Sequence, residues 1–329
     1  MEMMVPETIG VIGAGSWGTL LAQMAALRVK RVFVWTRREE DAQAVYDTGC
    51  HRRYFPNLKL HKNIFFEHRM DQFFHHRPKV LIWALPSEIC RLEARKVASW
   101  VRGDELLIHT TKGIESETLK RVSEVLTEEL VLKRLGVLSG PNLTSEMVRG
   151  EPAGSVIATC FVDVAETARV IFESAIFRIY PEQDVIGVEW SGALKNIIAI
   201  ASGALGAMKL GGNASALLMS QGLKEMIAFG KAMGALEATF LGPAGIGDLF
   251  ATCSSVSSRN YTVGYRLALG EPLGRILEDL GRVAEGVRTT EGVWKFASEN
   301  GIAMPVTQAV YQFLQGKCSA REILSQVMS

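Results

Sequence analysis

The chain has 329 residues, 48% of them hydrophobic, and a formal net charge of +1. These values suit a soluble protein of roughly two compact domains. They exclude a disordered or fibrous chain and give no general electrostatic drive toward nucleic acid. The basic clusters Arg28–Arg31, Arg37–Arg38 and His75–Lys79 are short, and the last reads as a solvated face. Five cysteines (Cys50, Cys90, Cys160, Cys253 and Cys318) form no CxxC pair. Neither a disulfide framework nor a metal centre is expected, and a reducing, cytoplasmic compartment is. The opening MEMMVPETIG lacks the basic start and apolar run of a signal peptide, so the sequons at Asn142, Asn213 and Asn260 read as chance matches.

The first half alternates apolar runs with amphipathic ones. In chain order the expected strands are TIGVI (8–12), RVFVW (31–35), NIFFE (63–67), KVLIWAL (79–85), ELLIHT (105–110), GVLSG (136–140), GSVIAT (154–159) and FRIY (177–180). Helical patterns cover 16–28, 38–48, 87–101, 116–134 and 164–174. Such alternation predicts a largely parallel sheet covered by helices on both faces, with later strands extending it in mixed orientation. Strand patterns stop after about Asp184, and helical periodicity takes over. The expected fold class is α/β, an N-terminal Rossmann-like doubly wound sheet (1–188) followed by a C-terminal all-helical domain (189–329).

The first motif is IGVIGAGSWGTLLA, which sets Gly13-x-Gly15-x-x-Gly18 between a strand and an apolar helix. Gly13 allows the tight turn, Gly15 lets a pyrophosphate approach the backbone, and Gly18 allows close helix–strand packing. Dinucleotide binding is the favoured reading and a plain tight turn the alternative. The second strand ends in Trp35-Thr36-Arg37-Arg38, with no acid until Glu39. Two guanidiniums there would welcome a 2′-phosphate, so NADPH or NADH is expected with NADP preferred; an exposed basic helix start is the other reading. Leu85-Pro86-Ser87 and Thr110-Thr111-Lys112-Gly113 end two strands at the edge that faces the ligand crevice. Lys112 there reads either as a contact to an anionic substrate or as an exposed loop lysine.

Residues 189–208, EWSGALKNIIAIASGALGAM, carry Lys195 as their only positive charge. Lys195 and Asn196 break the run too early for a membrane span, and the small residues suit a helix packed on all sides. A buried amine needs a partner or a task, while snorkelling near a helix end is the bland alternative. Further on stand Gly245-Ile246-Gly247-Asp248-Leu249 and Ser258-Arg259-Asn260. The second reads as a phosphate cradle at a helix start or as an N-cap beside a surface arginine.

Taken in order, these pieces resemble the bacterial-type NAD(P)-dependent glycerol-3-phosphate dehydrogenases over nearly the whole chain. They are GAGSWGTLLA (13–22), TKG (111–113), SGPN with Glu146 (139–146), GALKN (192–196), GLKEM (222–226), GIGDL (245–249), SRN (258–260) and VAEG (283–286). The resemblance implies interconversion of dihydroxyacetone phosphate and sn-glycerol 3-phosphate for phospholipid synthesis, by a homodimer acting on a small phosphorylated triose. It implies Lys195 as general acid/base, Asp248 and Thr252 as its network partners, and Lys112 and Asn196 as polar groups lining the site. Ser258, Arg259 and Asn260 match the substrate-phosphate site, and Gly140 and Asn142 the loop beside the substrate. Gly13, Gly15, Ser16, Trp17, Gly18, Arg37, Lys112, Thr144, Arg259, Val283 and Glu285 match positions around the cofactor. The chain departs from the pattern at Asn142-Leu143-Thr144, at Asn213-Ala214-Ser215 and Ser220-Gln221-Gly222, where arginines are frequent, and at Tyr261-Thr262. Fewer cations are expected to weaken phosphate binding or alter dimer contacts while leaving catalysis intact. The competing readings are another two-domain dehydrogenase with a catalytic lysine, such as a ketopantoate reductase, and a dinucleotide-sensing scaffold without chemistry.

Overall fold

A computed structural model describes residues 5–281 and 284–328. Eight strands form one sheet: β1 (Thr8–Ile12), β2 (Arg31–Trp35), β3 (Ile64–Glu67), β4 (Val80–Trp83), β5 (Leu106–His109), β6 (Arg134–Ser139), β7 (Ala153–Ala158) and β8 (Phe177–Glu182). Their order across the sheet is β3-β2-β1-β4-β5-β6-β7-β8. The first six run parallel, with Val11 of β1 between Val34 of β2 and Ile82 of β4. β7 turns antiparallel to β6 and β8 runs parallel to β7, the mixed extension expected of the later strands.

The inner strands are apolar throughout because both sheet faces are covered. On one face Ile9, Val11, Val32, Val34, Ile82 and Ile108 pack with Leu21, Ala25, Val164 and Phe172 of the helices Ser16–Ala26 and Val162–Phe172. On the other, Ile12, Phe33, Leu81, Trp83 and Leu107 meet Cys90, Ala94, Val122 and Leu126 of the helices Ser87–Val97 and Val122–Glu129. The strand order reverses between β1 and β4, which opens a crevice at their C-terminal ends.

The helix expected over 116–134 is shorter. Residues 114–121 form a hairpin of Ile114–Glu115 with Lys120–Arg121, and the helix covers only Val122–Glu129. The cause is tertiary. Arg91 grips Glu115 through Nε at 2.7 Å and Nη2 at 2.8 Å, Thr118 also donates to Glu115, and Leu119 takes a left-handed φ of 58° that stops helix propagation.

Beyond Glu182 the described residues hold helices and no strand. The central helix, Val185–Ala207, starts at Asp184, whose carboxylate accepts from Gly187 N at 2.8 Å, and its residues 187–205 are buried on every side. A helix of small and apolar residues is what such all-round packing needs. At Gly203 and Gly264 the central helix and the helix Arg259–Ala268 approach backbone to backbone. A Cβ on Gly264 would lie 1.8 Å from the oxygen of Ile200, and one on Gly203 would lie 1.9 Å from that of Tyr261. No helix among the described residues is long and apolar enough to cross a membrane.

Candidate active site

The central helix carries Lys195 in its buried middle, 5% exposed. Its Nζ donates to Asp248 Oδ1 at 2.6 Å and to Thr252 Oγ1 at 2.7 Å. Both partners lie on the short helix Asp248–Cys253, which follows a π-turn, Pro243–Gly247. That turn needs Gly245, where a Cβ would lie 2.1 Å from the oxygen of Phe240; single π-turns of this kind recur at functional sites. The second oxygen of Asp248 accepts from Lys112 Nζ at 2.8 Å, and the same amine donates to the carbonyl of Gly140 at 2.6 Å. One carboxylate thus bridges two ammonium groups brought from two parts of the fold. Asn196 fixes the far side, donating to the carbonyl of Lys112 at 2.9 Å and to that of Gly192 at 3.2 Å. Burial pulls the Lys195 amine down to about 8; Asp248 pushes it up and Lys112 adds to the fall.

The glycine loop closes the other end of the crevice. Gly13 has a φ of 116°, and a Cβ there would lie 2.6 Å from the oxygen of Ala84. A Cβ on Gly18 would lie 2.0 Å from the oxygen of Gly13, so strand and helix touch through backbone alone. At Gly15 an added Cβ meets nothing within 4 Å. The helix Ser16–Ala26 begins there with no side-chain cap, so the N–H groups of Ser16, Trp17 and Gly18 stay available. An open space over an uncapped helix start fits a dinucleotide pyrophosphate. Arg37 and Arg38 lie exposed at the end of β2, and neither guanidinium has an ion-pair partner among the described residues.

Ser258 caps the helix Arg259–Ala268, its hydroxyl accepting from Tyr261 N at 3.3 Å. Asn260 Oδ1 accepts from Gly286 N at 3.0 Å, and Gly286 is wedged against the carbonyl of Asn196, 2.6 Å from where its Cβ would stand. Both side chains hold the helix in place, and the exposed Arg259 guanidinium makes no hydrogen bond or ion pair among the described residues. Asn142 is tied to β7: it donates to the carbonyl of Gly154 at 3.0 Å and accepts from Ser155 at 2.9 Å. Thr144 opens the short helix Thr144–Val148. Val283 lies outside the described residues.

Glu285 has a partner that sequence patterning does not reveal. Its carboxylate accepts from Ser87 N at 2.9 Å and from the Ser87 hydroxyl, and burial pushes it above the usual carboxylate range. A Cβ on Gly113, next to Lys112, would lie 2.5 Å from that carboxylate. Ser87 stands at a strand end facing the crevice, but nothing local signals a partner 198 residues away. A second unforeseen group is Glu189, almost two turns before Lys195. It accepts from Ser123 N and Arg121 Nη1, each at 2.8 Å, and from Ser123 Oγ at 2.5 Å, while His109 Nε2 stands 3.2 Å away. Burial raises Glu189, but His109 beside it, with Arg121 and Ser123, outweighs that and holds it below its ordinary range.

The ends of β1, β4, β5 and β6 thus carry the glycine loop, Ser87, Lys112 and Gly140 to one edge, where the central helix presents Lys195. Family models described as NAD-dependent glycerol-3-phosphate dehydrogenase N-terminus and C-terminus match residues 8–164 and 184–325. A glycerol-3-phosphate dehydrogenase (NAD(P)+) from Moorella thermoacetica is 41% identical over 308 residues, 94% of this chain and 91% of its own. The crystal structure of glycerol-3-phosphate dehydrogenase from Coxiella burnetii aligns with a TM-score of 0.93 at 28% identity, covering 99% of this chain and 100% of that one. A ketopantoate reductase from Ralstonia eutropha shares only the fold, with a TM-score of 0.61 at 14% identity over 98% of this chain and 100% of its own. On these matches, which span both halves of the chain, it belongs to the NAD-dependent glycerol-3-phosphate dehydrogenase family.

Proposed function

We infer that this chain reduces dihydroxyacetone phosphate to sn-glycerol 3-phosphate with NAD(P)H and runs the reverse reaction. The observation that carries this reading is the Asp248 carboxylate shared by Lys195 and Lys112 at the crevice edge. The bound nicotinamide supplies the hydride in reduction and accepts it in oxidation. Lys195 gives the ketone oxygen a proton as that oxygen gains an electron pair from the C=O bond, which leaves a neutral amine beside Asp248. In reverse the neutral amine takes the hydroxyl proton. An amine pulled down to about 8 is populated in both forms near neutrality and serves either direction. Lys112 adds positive charge beside the developing alkoxide, and Asp248 holds both amines in place. Asn196, Gly140 and Thr252 fix the positions of these groups.

Arg259, with the free N–H groups at its helix start, takes the substrate phosphate, and Ser258 and Asn260 orient that helix. Gly13, Gly15, Ser16, Trp17 and Gly18 receive the pyrophosphate, with Thr144, Glu285 and again Lys112 and Arg259 around the rest of the cofactor. The division of labour follows a Rossmann domain at 1–188 and a helical substrate domain at 189–329. We place the enzyme in the cytoplasm as a homodimer supplying phospholipid synthesis. Its five cysteines are free thiols, which suits a reducing compartment. Following nicotinamide absorbance with dihydroxyacetone phosphate, against a panel of other 2-oxo compounds, tests the reading. No oxidation of NADPH or NADH that depends on the triose phosphate would overturn it. NADP preference rests on the unpaired Arg37 and Arg38; Arg37→Ala is expected to lower the NADPH-to-NADH preference about tenfold, and an unchanged ratio removes that assignment.

A further inference from the structure

The hairpin Cys50–His51/Phe55–Lys59 stands apart from the sheet, yet one of its side chains reaches the glycine loop. His51 is fully buried, with its ring Nε2 3.0 Å from the carbonyl oxygen of Ala14. A carbonyl can only accept, so Nε2 carries the proton and donates. Ala14 lies between Gly13 and Gly15. The Ala14–Gly15 peptide is trans, so a bond that fixes its oxygen also fixes the opposite-facing N–H of Gly15. The two glycines leave this backbone unusually free, so its shape has to be imposed by neighbours.

The surroundings of the ring point to this task and not to general packing. Tyr54 and Phe66 meet the ring edge-on, with centroids 5.0 Å and 5.6 Å away. The other ring nitrogen, Nδ1, is buried and has no hydrogen-bond partner among the described residues. A buried polar atom left unpaired weakens a core, and an apolar side chain of similar volume would fill the same space without that penalty. Among the described residues the imidazole therefore makes a single polar contact, and that contact is to the loop.

We propose that His51 is a positioning residue for the dinucleotide: by holding the Ala14 carbonyl it sets the Ala14–Gly15 peptide, and with it the N–H array that receives the pyrophosphate. This rests on the function proposed above. NADH and NADPH share the pyrophosphate, so His51 affects both alike and leaves the choice between them to the end of β2.

The test titrates full-length wild type, His51→Leu and His51→Gln with NADPH and with NADH by nucleotide fluorescence, and measures steady-state rates. His51→Leu keeps the volume and loses the donor; it should weaken both nucleotides about tenfold with their ratio unchanged. The KM for dihydroxyacetone phosphate and kcat at saturating NADPH should stay within about twofold of wild type. His51→Gln retains a donor of similar reach and should recover most of the affinity. The rise in Tm on adding NADPH should shrink in His51→Leu, because that rise reports affinity for the folded state. Unchanged nucleotide affinity in His51→Leu would overturn the proposal. So would a lower Tm without nucleotide accompanied by an undiminished rise with it, or a His51→Gln chain no better than His51→Leu. Wild type that bound neither nucleotide would bring down the proposed function and this inference together.

Discussion

Burial and Asp248 pull against each other to decide how Lys195 behaves. A buried amine with no counter-charge would lose its proton well below neutrality, and one paired only with a carboxylate would hold it too tightly to give it up. Here burial, the carboxylate and the second lysine together bring the amine to about 8. In the reducing direction the rate should therefore hold below pH 8 and fall as pH rises through about 8, while the oxidising direction rises over the same range. Asp248→Asn removes the main influence that raises the amine, so the reducing limb should move to lower pH in a rate profile; an unmoved limb would detach Asp248 from this role. Lys195→Ala should lose about 10²–10⁴-fold in kcat and keep NADPH affinity, as read by turnover beside nucleotide titration. Near-normal turnover would remove Lys195 from the chemistry.

At the scale of elements, two junctions hold the site together. Glu189 ties the central helix to the start of the helix Val122–Glu129 through Ser123 and Arg121. Glu189→Ala strands a buried N–H and a guanidinium, and should lower stability by about 2–4 kcal/mol in denaturant unfolding at neutral pH. Since Glu189 is held below the ordinary glutamate range, its contribution is complete above that range and is lost as the solution is acidified through the folded value. The gap between wild type and mutant should accordingly close in acid. The second junction is Gly264 against Ile200. Gly264→Ala must push the helix Arg259–Ala268 off the central helix, at about 1–3 kcal/mol. Because Arg259 opens that helix, the KM for dihydroxyacetone phosphate should rise more than the KM for NADPH. Equal changes in the two would separate this contact from the phosphate site.

Across the whole molecule, the parallel sheet is readable in sequence because each inner strand is a short β-branched or aromatic run, buried on both faces and bounded by polar turns. Lys195 is readable because a lone cation in an apolar helix demands an explanation. The hairpin at 114–121 is not, since Arg91 creates it from another element and local pattern favours a helix there. Glu285 with Ser87, and His51 with Ala14, escape for the same reason. Each is a bond between segments whose separate patterns give no hint of a partner. What pattern reading recovers is the frame and the charged groups; what it misses is the set of long-range bonds that aim them.

The unbroken central helix acts as a gauge. At its near end Glu189 docks to the sheet domain, in its middle Lys195 binds Asp248 and Thr252, and further along Gly203 seats the helix that carries Arg259. With a rise of about 1.5 Å per residue, Lys195 and Gly203 stand about 12 Å apart along the axis. The separation between Lys195 and the seat of the helix that carries Arg259 is thus set by a residue count and is not adjusted by a hinge. One residue added between them would swing the helix that carries Arg259 about 100° around the axis and lengthen the span. On the roles proposed for Lys195 and Arg259, the reach between proton donor and phosphate anchor is therefore written into the length of a single helix, and it can drift by substitution on either side far more easily than by insertion.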